Sequence, residues 1–200
     1  MAKAPESIQK KAVYIPNGIN GVTRSENADY LEKIGAIKGE YVLGVGRLTP
    51  EKGFEYLVET VNQLDSVKQL VIAGAADHGD SYFEHLKSLD VNNKVIFAGF
   101  VGGENLRQLY SHARLFVLSS ENEGFPLVML EAMNFGLPMV VSDIPATHLV
   151  ELPSECYAKK CDVDSLAKGI EHMYHKQQRW EYDLTEYNWE SVAKQTIAEY

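Results

Sequence analysis

Short, continuous apolar runs alternate along this chain with longer stretches in which apolar residues recur at helical spacing. Tyr41-Val42-Leu43-Gly44-Val45-Gly46, Gln69-Leu70-Val71-Ile72-Ala73-Gly74, Lys94-Val95-Ile96-Phe97, Leu115-Phe116-Val117-Leu118 and Met139-Val140-Val141-Ser142 read as strands, most of them buried on both faces of a parallel sheet. Between them, Phe54, Leu57, Val58, Val61 and Leu64 line one helical face. Tyr82, Phe83, Leu86 and Leu89 line a second, and Leu106, Leu109 and Tyr110 a third. Strand, helix, strand recurs with short loops, which predicts a doubly wound, mostly parallel α/β sheet of Rossmann-like form with helices on both faces.

Weaker signals fill the ends. Val13-Tyr14-Ile15 reads as a short strand entering a Pro16-Asn17-Gly18 turn, and Glu26 to Ile34 as a helix stopped by Gly35. A short helix is expected around Pro145 to Leu152, a weak strand at Cys156 to Lys159, and a helix carrying Leu166, Ile170, Met173 and Tyr174. Trp189, Val192, Ala193, Thr196, Ile197 and Tyr200 form a terminal stripe more apolar than an isolated surface helix should carry, so something must cover it. The expected organisation is a flexible lead-in over residues 1–12, the sheet domain over 13–186 and a terminal helix over 187–200.

Composition narrows the function. Hydrophobic residues make up 45% and charged residues 24%, so the chain can build a core. The formal charge of -9 argues against a nucleic-acid partner, and any phosphate site must be a local cluster of cations. Cys156 and Cys161 have no further Cys or His at zinc spacing, so reduced thiols are expected. Met1 to Lys11 lacks the apolar core of a secretory leader, and no run approaches the ~20 apolar residues of a membrane span. A soluble, cytoplasmic protein is expected.

The densest chemistry follows the run Leu115–Leu118. Ser119-Ser120 leads to a Gly124-Phe125-Pro126 turn and a helix expected from Pro126 to about Phe135, stopped by Gly136. The free amides around Gly124 to Leu127 then face the crevice beyond the strand ends, where an anion belongs. Three loops share that edge, Arg47–Gly53, Gly99–Gly103 and Ser119–Pro126, and should converge. Arg47 and Lys52 are the nearest cations and could clamp a diphosphate, although either read alone is an ordinary surface charge. Glu123 and Glu131, eight residues apart, can line the same crevice and accept from sugar hydroxyls, or can simply be solvated. The dinucleotide fingerprint is absent, since Gly44 and Gly46 are followed by Thr49, and so is a Walker loop.

Taken together, I-P-N-G at Ile15–Gly18, G-V-G-R-L-T-P-E-K-G at Gly44–Gly53, E-G-F-P-L-V-M-L-E-A-M at Glu123–Met133 and N-W-E-S-V-A from Asn188 resemble one family. It is the C-terminal, nucleotide-sugar-binding domain of retaining glycosyltransferases of the GT-B fold and family 4 type. The resemblance implies that Arg47 and Lys52 hold the donor diphosphate and stabilise the leaving group, with Glu123 as the third catalytic residue, contacting the transferred sugar. It places the main chain of Gly46, Gly124, Phe125 and Leu127, with Pro126, around the donor. Ser120 falls near the phosphates, Glu131 at the ribose hydroxyls, and Phe100 and Val101 beside the base. It implies a nucleoside diphosphate sugar as substrate, for instance one of UDP or GDP, with the sugar and base left open, no metal, and a role such as polysaccharide biosynthesis. An N-terminal domain carrying the acceptor site, in the same polypeptide or a separate subunit, would be the partner, with membrane-surface association at the inner face in the full enzyme. A binding module without chemistry and an epimerase of the same shape are the alternatives. Two departures stand out: Ser119 replaces a frequent proline, and Asp143-Ile144-Pro145-Ala146-Thr147-His148 lacks a frequent Gly-Gly pair.

Overall fold

The computed structural model describes residues 13–76, 81–176 and 178–199, and the expected lead-in over residues 1–12, like Tyr200, lies outside them. The elements in chain order are α1 (Asp29–Ile34), β1 (Tyr41–Val45), α2 (Phe54–Gln63), β2 (Gln69–Ala73), α3 (Ser81–Leu89), β3 (Val95–Gly99) and α4 (Gly103–His112). There follow β4 (Leu115–Leu118), α5 (Leu127–Asn134), β5 (Met139–Ser142), β6 (Tyr157–Ala158), α6 (Val163–Tyr174) and α7 (Trp189–Ala198). Two compact units result: Val22–Tyr182 holds the whole sheet, and the described residues before Val22 and after Tyr182 form the other.

The six strands pair in parallel in the order β3-β2-β1-β4-β5-β6. Val42 of β1 stands opposite Leu70 of β2 on one side and Leu115 of β4 on the other. Every residue of β4 and β5 is buried, as continuous apolar runs demand when helices cover both faces. α2 packs against α3 and α6, α6 also lies on β4 and β5, and α1 packs against α4. The strand order reverses its direction of growth between β1 and β4. Their carboxyl ends therefore part there and open a crevice, the place where open sheets bind ligands.

Several boundaries differ from expectation. Val13 to Ile15 is not a strand; Val13 and Tyr14 are both 57% exposed, and the pairing in this region falls later, as a parallel bridge between Ile19 and Asn188. α1 begins at Asp29 rather than Glu26, because the preceding backbone is claimed by α4: Ser25 N donates to Ser111 Oγ (2.8 Å). The expected helix near Pro145 shrinks to a single 3-10 turn, Thr147–Leu149, whose Thr147 hydroxyl donates to Ser142 O at 2.8 Å. α5 starts at Leu127, with Pro126 as its N-cap residue rather than its first turn.

In the smaller unit, Ile19 N donates to Tyr187 O (2.6 Å), and the Asn188 side chain caps α7 by accepting from Ser191 N (2.8 Å). Gly18 lies under the Trp189 indole so closely that a Cβ there would stand 2.5 Å from the ring. The I-P-N-G turn thus ends in a glycine because a ring occupies the side-chain volume.

Candidate functional site

The loops after β1 and β4 are one structure. Glu121 N donates to Glu51 O (2.9 Å), and the Ser119 hydroxyl donates to Lys52 O (3.0 Å). Gly53 turns the chain into α2 at φ 60, and a Cβ on it would lie 2.3 Å from Ser119 O. At Gly53 no side chain fits between the two loops. Ser119, which departs from the family pattern, is thereby explained: its hydroxyl supplies one of the ties. Tyr56, in the first turn of α2, adds another by donating to Glu121 Oε1 (2.8 Å).

Within this joint the Lys52 ammonium donates to Glu123 Oε1 at 2.7 Å, and the Ser120 hydroxyl donates to the same oxygen at 2.7 Å. The Lys52 and Glu123 side chains are only 18% and 9% exposed, so the pair is largely withdrawn from water. Removing either partner would strand the other charge. The α5 amino end lies just beyond, with no side chain capping it; Met129 N donates to Pro126 O (2.9 Å), and the amides ahead of it face the crevice side of the helix end. Gly124 has open space where a side chain would project, and Leu127 is 45% exposed.

Arg47 does not join Lys52. Its side chain is 77% exposed and, among the described residues, its ion pair is with Glu51, at 3.8 Å. The expected pair of clamping cations is therefore one seated lysine and one outlying guanidinium, because Glu123 draws Lys52 down while Arg47 pairs with exposed Glu51. Glu131 is also placed differently from Glu123. Its Oε2 accepts from the Tyr110 hydroxyl (2.8 Å), and burial raises its carboxyl above the ordinary range against the pull of that bond. Tyr110 itself is buried and stacks on Phe135 at 5.2 Å. A tyrosine counted as part of an apolar helix face thus holds the acid in place.

The third loop meets the other two through the end of β2. Gly46 N donates to Ala73 O (3.0 Å), Leu48 N to Ala75 O (3.0 Å), and Gly74 N to Gly99 O (2.8 Å). At its tip Phe100 is 85% exposed, while Val101 is buried. His148 Nε2 donates to Asp143 Oδ1 at 2.6 Å, and its ring stacks on Tyr157 at 4.3 Å, just past β5. Both cysteines are free, Cys156 buried with its thiol pushed up to about 12 by burial, and Cys161 exposed. Among the described residues no group of three or more His, Cys, Asp or Glu is clustered as a metal site, and no helix is long and apolar enough to cross a membrane.

The family model for glycosyl transferases group 1 matches residues 29–188. An uncharacterised glycosyltransferase of Methanocaldococcus jannaschii is 34% identical over 96% of this chain and 54% of its own length. The O-antigen chain mannosyltransferase of Salmonella typhimurium is 29% identical over 86% of this chain and 47% of its own. Among solved structures, sucrose-phosphate synthase from Thermosynechococcus elongatus superposes with a TM-score of 0.72 at 26% identity, over 92% of this chain and 50% of that one. The Anabaena protein HepE, solved with UDP and glucose, gives 0.79 at 22% identity over 92% of this chain and 55% of its own, a likeness of fold. This chain spans about half the length of the curated relatives it matches.

Proposed function

The chain belongs to the glycosyl transferases of group 1, and on that footing we propose that it is the donor-binding half of a retaining glycosyltransferase. Its substrate is a nucleoside diphosphate sugar. The observation that carries this reading is the seating of Lys52, Ser120 and Glu123 against one another at the β1/β4 switch point, beside the uncapped start of α5. A diphosphate placed there meets an ammonium, the positive end of the α5 dipole and, once Arg47 leaves Glu51, a forked guanidinium. Releasing that exposed ion pair costs little.

In the transfer step the bond from the sugar's anomeric carbon to the phosphate oxygen breaks, negative charge collects on the departing diphosphate, and an acceptor hydroxyl oxygen bonds that carbon while its proton passes to the diphosphate. Lys52 and Arg47 would stabilise that charge, with the α5 dipole behind them. Glu123, held by Lys52 and Ser120 through Oε1, keeps Oε2 to accept from a sugar hydroxyl. The Tyr110-oriented Glu131 accepts from ribose, and exposed Phe100 offers a face to the base. Charge on the diphosphate is met by side chains and amides, so chelation with EDTA is expected to leave binding unchanged. The acceptor would be supplied with the remaining half of the full-length enzyme, working as a cytoplasmic protein or at the inner membrane face.

Calorimetric titration with uridine, guanosine and adenosine diphosphates tests the reading. One of them should bind, and Arg47→Ala and Lys52→Ala should each weaken it by about 1.5–3 kcal/mol, the scale of charge-assisted hydrogen bonds. Affinity unchanged in both folded variants would end the proposal.

A further inference from the structure

Where β1, β4 and β5 begin, at the end of the sheet remote from Lys52, an open cleft of about 240 Å3 is lined by Lys38, Arg114, Lys176 and Arg179 and by no acidic residue. Strands of this length hold the two ends roughly 15 Å apart, at ~3.3 Å per residue. In a chain of net charge -9, four cations gathered without an acid among them need a physical account.

Lys176 meets Glu155 at 2.7 Å, but Lys38, Arg114 and Arg179 form no ion pair among the described residues. The two guanidinia are fixed by main-chain carbonyls. Arg179 Nη2 donates to Ser111 O (2.5 Å) and Ala113 O (3.1 Å), and Arg114 Nε donates to Tyr174 O (2.6 Å) while its plane lies 4.4 Å from the Tyr174 ring. These bonds cap the carboxyl ends of α4 and α6, and that accounts for two of the nitrogens. A third, Arg114 Nη1, reaches Gly39 O (3.4 Å). Arg179 Nη1 is left: it is buried with no partner among the described residues, and burial together with nearby Arg24 pulls the Arg179 pKa down. Lys38 is exposed at the rim. His112 stays out of this charge balance, since its Nε2 is engaged with Asn27 O (2.7 Å) and burial lowers its pKa.

We propose that this cleft is a second anion site, which takes the phosphate group of a small soluble ligand independently of the donor crevice. Its volume is below the range of pockets that enclose nucleotide-sized ligands, about 300–1,000 Å3, but admits a phosphate monoester. Guanidinia already locked by carbonyls lose little freedom on binding, so a small anion can be held by few contacts.

The test is amide and guanidinium NMR titration of the intact chain with inorganic phosphate and with glycerol 3-phosphate. Saturable shifts should gather at Ser111–Arg114 and around Arg179, and Lys38→Glu should weaken them about tenfold or more. That exposed variant leaves the carbonyl ties intact; Arg179→Gln, checked for folding, should abolish the shifts. Shifts confined to the Gly46–Gly53 and Ser119–Leu127 loops, or shifts at the cleft that both variants retain, would overturn the proposal. Binding to phosphatidylglycerol vesicles without binding of either soluble phosphate would overturn it too, since the cleft would then be part of a membrane-facing surface.

Discussion

The Tyr110 hydroxyl and the Glu131 carboxylate show how one bond sets the state of a site residue. Burial raises the Glu131 pKa and the Tyr110 bond lowers it, so the bond favours the ionised form. Tyr110→Phe should therefore destabilise the protein by about 1–3 kcal/mol at neutral pH, with the loss shrinking as acid protonates Glu131, measured by denaturant unfolding at several pH values. The sign for Glu131 itself runs the other way. A carboxyl whose folded pKa lies above its unfolded value binds more protons when folded, so its contribution to stability declines as pH rises from the unfolded pKa through the folded one. Glu131→Gln should flatten that decline. At the neighbouring pair, Lys52→Met should cost about 3–5 kcal/mol by stranding Glu123, and Lys52→Met with Glu123→Gln should recover much of the loss in a double-mutant cycle. Neither partnership was visible in the chain as written. Tyr110 has the spacing of a core residue, and nothing in local sequence tells that its hydroxyl reaches Glu131 on another helix.

At the scale of elements, β1, β2, β4 and β5 were legible because strands buried on both faces are written as unbroken apolar runs. The failures fell where tertiary partners decide. Val13-Tyr14-Ile15 has β composition but pairs with no strand among the described residues, and Ser25 is held by α4 before α1 can start. The candidate site was legible as three loops that meet on one edge, but the separate placing of its two cations was not: sequence distance put Arg47 and Lys52 together, and the acid that draws Lys52 away comes from the far loop. Gly53→Ala tests that joint. A methyl group forced to 2.3 Å from Ser119 O, at a φ that disfavours side chains, should cost about 2 kcal/mol or more and weaken nucleoside diphosphate binding beyond the change in stability. Thermal melts and calorimetry on the same sample separate the two effects.

For the whole sheet, burial is graded from centre to edge: β1 and β4 lie in the middle, whereas β3 is half-exposed along its length. Native-state hydrogen exchange should find its slowest amides in β1 and β4 and a lower opening free energy in β3. Equal protection across all strands would contradict that grading. The crevice thus lies at the ends of two strands from the buried centre of the sheet. Because the loops that follow them meet at Gly53 with no space there for a methyl group, neither can be transplanted alone: a designer must exchange both segments as a matched set, or confine the changes to positions such as Arg47, Gly124 and Leu127 that stand clear of the lock.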